Sequence, residues 1–152
     1  MPSTIFTAPE YDPRRERRKW IIVAVVISVV VLVGVCAYLY RNWPEEQVVN
    51  HFFQALQNKD YEKAYGIWLH DPNWKAHPQQ YANYPYNDFY RDWGPGGDWG
   101  LIKTYHVDGS VTPRGGGTGV IVQVTVNGRA EKARVWVEKK NKTLTFCMAE
   151  GC

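Results

Sequence analysis

The longest apolar run in the chain lies near its start and predicts a transmembrane helix. Residues 20–40, WIIVAVVISVVVLVGVCAYLY, are 21 positions without a charge. At a rise of ~1.5 Å per residue, such a helix spans about 31 Å, close to the thickness of a bilayer's hydrocarbon core. Valine and isoleucine favour strands in water, but in lipid each backbone amide must bond within its own segment, so the environment favours the helix. Trp20, Tyr38 and Tyr40 stand at its two ends, where aromatic rings prefer the membrane interface.

The charges that flank this run predict its direction across the membrane. The cluster RRERRK at residues 14–19 precedes the run, whereas one arginine and then two glutamates follow it. Flanks rich in lysine and arginine remain in the cytoplasm, where they also contact anionic lipid headgroups. We therefore expect residues 1–19 to form a basic cytoplasmic leader. Residues 41–152 are then an extracytoplasmic domain, held in the periplasm or its equivalent by a single-pass anchor in the cell's inner membrane.

Two other interpretations of the apolar run compete with a permanent anchor. A cleaved signal peptide has a shorter apolar stretch and a small-x-small cleavage site, which the sequence around Ala37 supplies poorly. A lipoprotein signal needs a small residue directly before its cysteine, and Val35 before Cys36 is bulky. The permanent anchor fits the sequence better than either alternative.

After the anchor, the spacing of apolar residues predicts two helices and a short third. Pro44 opens the segment PEEQVVNHFFQALQNKD with two carboxylates beside the positive end of a helix dipole. Its apolar residues recur at three- and four-residue spacing, which is typical of an amphipathic helix, and the helix should end near Asn58. Asp60 can cap a second helix, DYEKAYGIWLH, before an Asp-Pro pair stops it. The third helix is expected over residues 87–93.

Beyond residue 100 the apolar period changes to two, which predicts strands. After a first segment, LIKTYHVDGSV, the segment GVIVQVTV at residues 119–126 places four valines on one face. Asn127-Gly128 is a strong hairpin signal, and RAEKARVWVEKK returns as the partner strand. In the last segment, TLTFC, Leu144 and Phe146 should face the core. Two or three helices followed by about four strands of an antiparallel meander predict an α+β domain, with helices covering one face of a curved sheet.

This outline resembles the nuclear transport factor two-like superfamily, a cone-shaped α+β fold. The segments that carry the resemblance are VVNHFFQALQNKDYEKAYGIW and VIVQVTVNGRAEKARVWVEKKNKTLTF, and it covers about residues 45–147. The resemblance implies a cavity between the helices and a bent sheet, but the fold alone says little about activity. The plan of a leader, one helix and one outer domain is also similar to that of assembly components of bacterial type IV secretion machines and of membrane proteins associated with lipid-import operons.

Composition and charge exclude several classes of protein. With 45% apolar and 14% aromatic residues and three cysteines, the chain is not a disordered tail, a collagen-like repeat or a cysteine-stapled mini-protein. Removing the leader's five basic and three acidic residues from totals of 18 and 15 leaves 13 and 12. A domain so close to neutrality lacks the basic surface that binds nucleic acid, so we expect no nucleic-acid partner.

Two cysteines lie in the outer domain, five positions apart at its end. In an oxidising compartment, Cys147 and Cys152 could close a small loop, FCMAEGC, as a disulfide. They could equally remain separate thiols, because spacing alone does not supply the Cα distance that a disulfide requires.

We expect no catalytic residue, metal or cofactor. The four histidines are dispersed, no two of them share a helical face, and a structural zinc site needs four ligands. An aspartate with a raised pKa beside a tyrosine could move a proton, with Asp88, Asp92 and Asp98 as candidates. Surface positions on a short helix and its loop explain these aspartates better, because no acid-base pair is set by their spacing.

The feature that we favour for function is aromatic. Twelve aromatic residues fall between Tyr61 and Tyr105, and they either line a cavity, form a rigid interaction surface or fill the space beneath long loops. The members predicted to bind a ligand or partner are Trp74, Tyr81, Tyr84, Tyr86, Phe89, Tyr90, Trp93 and Trp99.

Three functions follow from this feature. The first is a non-catalytic accessory or assembly subunit that docks onto a partner protein or membrane complex. The second is a module that binds a small apolar or lipid-like molecule. The third is an enzyme of isomerase or dehydratase type.

Overall fold

A computed structural model describes residues 13–147, and the chain divides into two compact units, Met1–Arg41 and Asn42–Cys152. In the first unit, helix α1 runs over Pro13–Leu39 and contains no buried residue. Its most apolar window has a mean hydropathy of 3.0 and is 0% buried. Ser28 Oγ donates to the Ala24 carbonyl at 2.8 Å, which satisfies the serine hydroxyl within the apolar run. The predicted helix is confirmed, and it is long and apolar enough to cross a membrane.

The second unit begins with three helices, and all three are confirmed. Helix α2 covers Trp43–Gln57 with a proline in its first turn, and α3 covers Tyr61–Leu69. As predicted, Asp60 caps α3, because its Oδ1 accepts a hydrogen bond from the Lys63 amide at 3.1 Å. Two short 3₁₀ turns, Trp74–Ala76 and Pro78–Tyr81, lead to helix α4, Tyr86–Trp93.

Four strands complete the domain as an open antiparallel sheet in the order β1-β2-β3-β4. They are β1 (Tyr105–Val111), β2 (Gly119–Val126), β3 (Lys132–Glu138) and β4 (Leu144–Phe146). The α+β class and the meander are therefore confirmed. The first strand begins at Tyr105, four residues later than the two-residue period predicts, and its register shifts between Val107 and Gly109 as in a β-bulge.

The core lies between the helices and one face of this sheet. Val120, Val122, Val124 and Val126 are fully buried, which confirms the predicted valine face. Burial alternates only in the second half of β2, because Ile121 on the other face is also buried, at 3% exposure. The helical side of the core includes Val49, Phe52, Phe53 and Leu56 of α2, at the predicted three- and four-residue spacing.

Asn127 does more than turn the chain. Asn127 and Gly128 both have positive φ, and the Arg129 amide donates to the Val126 carbonyl at 3.0 Å, which confirms the turn. Thr125 pairs with Lys132, however, so the connection is longer than two residues. Asn127 Oδ1 accepts from the backbone amides of Lys103 and Thr104 at 2.8 and 3.1 Å. These bonds fasten the segment before β1 to the hairpin, which explains why that segment is not part of the strand.

One buried ion pair joins the start of the domain to its end. Lys142, in the turn between β3 and β4, places Nζ 2.5 Å from Glu45 Oε1 in the first turn of α2. The Glu45 side chain is 5% exposed and that of Lys142 is 29% exposed. The pair therefore holds the β3–β4 turn against the N-terminus of α2, where a carboxylate also meets the positive end of the helix dipole.

Replacing Lys142 with methionine should leave the buried Glu45 carboxylate without its cation. We expect the free energy of unfolding to fall by roughly 2 kcal/mol, because an uncompensated buried charge costs more than a lost neutral hydrogen bond. Urea denaturation of the full chain in mild detergent, followed by tryptophan fluorescence, measures this change.

The matched control is Lys75→Met. Lys75 lies 2.6 Å from Glu62, but both side chains are more than half exposed. We expect Lys75→Met to lower the free energy of unfolding by less than about 0.5 kcal/mol, since exposed ion pairs contribute little. Equal losses at the two positions would contradict the structural role of the buried pair.

Candidate functional site

The eight predicted aromatic residues lie in three environments. Phe89 and Trp93 belong to the core, with exposures of 0% and 4%, so their rings cannot themselves form a docking surface. Tyr90 is 44% exposed. The remaining members, Trp74, Tyr81, Tyr84, Tyr86 and Trp99, are half-buried. The predicted set is therefore partly core filling and partly surface.

Aromatic rings fill the space between α2 and its neighbours. The Phe52 ring centroid lies 5.0 Å from that of Trp93, 5.4 Å from that of Trp68 and 6.1 Å from that of Phe89. Most of these contacts are edge-to-face or tilted, which is the favoured geometry of aromatic pairs. Aromatic side chains therefore fill part of the core between the helices and the sheet.

A row of rings reaches the surface along α4 and the segments beside it. Tyr90 packs edge-to-face on Tyr61 at 5.0 Å and lies 6.2 Å from Tyr86, whose ring stacks on Trp74 at 5.3 Å. Lys75 Nζ lies 5.6 Å from the Trp74 ring centroid. We call Tyr61, Trp74, Tyr86 and Tyr90 the aromatic strip. Burial raises the pKa of Tyr61 and Tyr86, so these hydroxyls are neutral at physiological pH.

A second surface lies at the far edge of the sheet, beside β4. It is a groove of about 700 Å³, which we call the edge groove. Its lining residues are Trp68, Leu69, Tyr81, Tyr84, Trp136, Thr143, Leu144, Thr145 and Phe146. The Tyr84 hydroxyl donates to Asp92 Oδ2 at 3.0 Å, and burial, followed by this hydrogen bond, raises the pKa of Tyr84.

Trp99 belongs to neither surface. The Arg129 guanidinium lies 5.7 Å from the Trp99 ring centroid, and Arg129 Nη1 donates to the Asp98 carbonyl at 2.8 Å. These contacts give Trp99 a local role in holding its loop against the hairpin.

The three aspartates considered for proton transfer lie at the surface. Asp88 and Asp92 flank Arg91, whose guanidinium nitrogens are 3.0 and 3.6 Å from their carboxylate oxygens. Asp98 is exposed. This environment differs from the apolar pocket that surrounds a catalytic carboxylic acid.

Asp71 is the centre of a hydrogen-bond network that sequence reasoning missed. Its Oδ2 accepts from the Tyr81 hydroxyl at 2.8 Å and lies 3.3 Å from His77 Nδ1, and its Oδ1 accepts from the Asn73 amide at 2.8 Å. The Tyr81 hydrogen bond is the largest of the effects that lower the pKa of Asp71. An Asp-Pro pair followed by an asparagine is a turn signal that could have pointed to this network.

The predicted metal and disulfide positions can also be placed. Within residues 13–147, no three His, Cys, Asp or Glu side chains are grouped so that they could hold a metal ion. Cys147 is disulfide-bonded. The predicted partner, Cys152, lies outside the described residues, so the Cys147–Cys152 pairing stays a prediction.

The Asp71 network gives a testable pKa. Tyr81→Phe removes the hydroxyl, so the pKa of Asp71 should rise toward its ordinary value of 3.8. A lowered pKa stabilises the fold above that ordinary value, and the contribution is lost as pH falls through the lowered pKa. The difference in the free energy of unfolding between the parent protein and the Tyr81→Phe variant should therefore be largest at neutral pH and should shrink below a pH of about 4.

Carbon-13 NMR titration of the aspartate carboxyl groups of the full chain in detergent measures this pKa. Tyr90→Phe is the matched control and should leave Asp71 unchanged. An Asp71 pKa that is the same in the Tyr81→Phe protein as in the parent would contradict the network.

No protein-family model, curated protein or solved structure matches the chain. The surfaces described above, the aromatic strip and the edge groove, therefore supply the argument for function.

Proposed function

We propose that the protein is a single-pass, membrane-anchored, non-catalytic accessory or assembly subunit whose extracytoplasmic domain docks onto a partner protein or membrane complex. The observation that carries the proposal is the exposure of α1. The long helices of a soluble protein bury an apolar stripe, whereas the apolar window of α1 is 0% buried. A surface of this kind needs lipid, because large exposed apolar patches are unfavourable in water.

The direction of insertion rests on the flanking charges. The basic cluster at residues 14–19 precedes the apolar run, and by the positive-inside rule it stays in the cytoplasm. The domain from Asn42 onward is then extracytoplasmic. That location is one in which the disulfide of Cys147 would persist.

The aromatic strip supports docking onto another protein. Tyrosine and tryptophan dominate the residues that contribute most to protein-protein binding. Stacking of Tyr86 on Trp74 and packing of Tyr90 on Tyr61 fix these rings before any partner arrives. A rigid surface loses less side-chain entropy on binding, so the strip suits an interface.

The other two functions have less support. The rings that fill part of the core beside α2 leave less room there for a small molecule, and the candidate aspartates lie beside Arg91 at the surface. We retain the resemblance to the nuclear transport factor two-like superfamily as part of the proposal.

The anchor and its direction can be tested by membrane extraction and protease access. We expect the full chain to resist alkaline carbonate and its domain to be digested by protease added to intact spheroplasts. Changing Arg17, Arg18 and Lys19 to glutamate should shift part of the population to a protected domain, because the orientation signal weakens.

The control changes Lys103, Lys139 and Lys140 of the domain to glutamate, which alters the net charge by the same amount. It should leave the orientation as it was. A mature protein recovered in the soluble fraction without its first forty residues would instead identify the apolar run as a cleaved signal.

The docking surface can be tested with Tyr90→Ala. Purified from native membranes in mild detergent, the parent protein should migrate with a second protein in fixed proportion. The Tyr90→Ala variant should lose that association by at least about tenfold, as expected for an interface hot spot. Trp43→Ala, which also removes an exposed ring but outside the strip, should retain it. Recovery of the parent only as a lone monomer would contradict docking.

A further inference from the structure

Among the residues that the structure describes, strand β4 has a free edge whose outward backbone groups lack partners. The Glu138 amide donates to the Thr143 carbonyl at 3.0 Å, and bonded pairs alternate along an antiparallel ladder. Thr145 therefore bonds to its partner Trp136, while the N–H and C=O groups of Leu144 and Phe146 point away from β3. Within residues 13–147, these outward groups have no hydrogen-bond partner. They form a short template for another strand.

The edge groove opens along this free edge. Trp136 and Thr145 pair on the outer face of the sheet, whereas Leu144 is buried on the face that meets the helices. Because residues from both faces of β4 line the edge groove, the groove lies along the free edge of this strand. Trp68 and Leu69 of α3 form its opposite wall. Phe146 stacks on Trp93 at 6.0 Å, yet 39% of it is exposed, so an apolar surface faces the groove.

The two edges of the sheet differ in how they are protected. At the other edge, β1 contains a bulge and a charged residue, Asp108, which lies 3.2 Å from Lys132. Bulges and charges are devices by which proteins prevent unwanted strand pairing. The segment Leu144-Thr145-Phe146 contains no charge, proline or bulge. Its edge is therefore open to pairing.

Positive charge lies at one end of this edge. Lys139 and Lys140 are exposed in the turn that leads into β4, and among the described residues neither forms an ion pair. Lys142 in the same turn is already paired with Glu45. A segment lying along β4 with a carboxylate at this end would meet two available ammonium groups, which adds electrostatic complementarity.

We infer that β4 accepts an extended segment of the partner protein as a fifth strand, with apolar side chains at alternate positions in the edge groove and an acidic residue beside Lys139 and Lys140. This inference rests on the proposed docking function and specifies the chemistry of the partner. Backbone hydrogen bonds supply the affinity in this mode of recognition, and pockets for alternate side chains supply the specificity.

The inference can be tested with the full chain in nanodiscs of phosphatidylcholine. The probe is a fluorescent synthetic peptide of alternating valine and threonine that ends in two aspartates. We expect saturable binding and slower hydrogen exchange, by at least about tenfold, at the amides of Leu144 and Phe146. The Val135 amide of β3 is the internal control and should not change.

Two N-methylated peptides separate strand pairing from general apolar adhesion. One carries N-methyl groups on its valines and the other on its threonines. Alternate N–H groups of a strand point the same way, so only one of the two should lose binding, by at least about tenfold. Equal binding of both, or equal loss by both, would overturn the inference.

The charge contribution has its own matched pair of variants. Lys139→Glu with Lys140→Glu should weaken binding of the acidic peptide by about fivefold to tenfold, whereas Lys63→Glu with Lys103→Glu should not. An equal effect of the two double variants would remove the acidic residue from the inference.

A lipid occupant is the competing outcome. If nanodiscs containing phosphatidylglycerol slow exchange at Leu144 and Phe146 without any peptide, the edge faces lipid and the inference is wrong. Failure of the peptide to bind, with the partner complex of the parent protein still intact, would overturn the fifth strand but leave the proposed docking function standing.

Discussion

The domain depends on the contact between one face of α2 and the valine face of the sheet. Phe52 and Phe53 are fully buried on α2, and the four valines of β2 lie at 0% exposure in the same core. Burying a side chain of this size stabilises the fold by roughly 1.5 to 3 kcal/mol, so this face outweighs any single polar contact in the domain. Because the rings also fill the space beside α2, the two surfaces that we propose for binding, the aromatic strip and the free edge of β4, lie outside this contact.

Local patterns in the sequence predicted most of the fold. The valine face of β2 and the Asp60 cap of α3 depend on residues close together in the chain, and both are confirmed. Long-range contacts could not be predicted in this way. Glu45 and Lys142 are 97 positions apart, and nothing near either residue indicates its partner. The same holds for Asn127, whose turn was predicted but whose bonds to the segment before β1 were not.

The candidate site was predicted in outline only. The sequence indicated an excess of aromatic residues but did not separate buried rings from surface rings. Phe89 and Trp93 are four positions apart, as are Tyr86 and Tyr90, but Tyr86 and Trp93 are seven apart, so helical spacing places all four on one side of α4 and does not separate the pairs. The pair without hydroxyl groups is buried and the tyrosine pair reaches the surface, as expected from the polarity of their tips. The edge groove had no such signal, because it depends on which strand ends the sheet.

In the proposed function, the membrane anchor lowers the affinity that the domain needs for its partner. A fifth strand on a three-residue edge forms few hydrogen bonds, and each contributes only about 0.5 to 1.5 kcal/mol net, so binding in free solution would be weak. Two proteins held in one membrane meet at a much higher effective concentration than two proteins in solution. In the proposed function, the apolar surface of α1 therefore makes a small docking surface sufficient. Under the same proposal, confinement of the chain to the membrane limits the partners that β4 can meet, so an edge without charge, proline or bulge can persist.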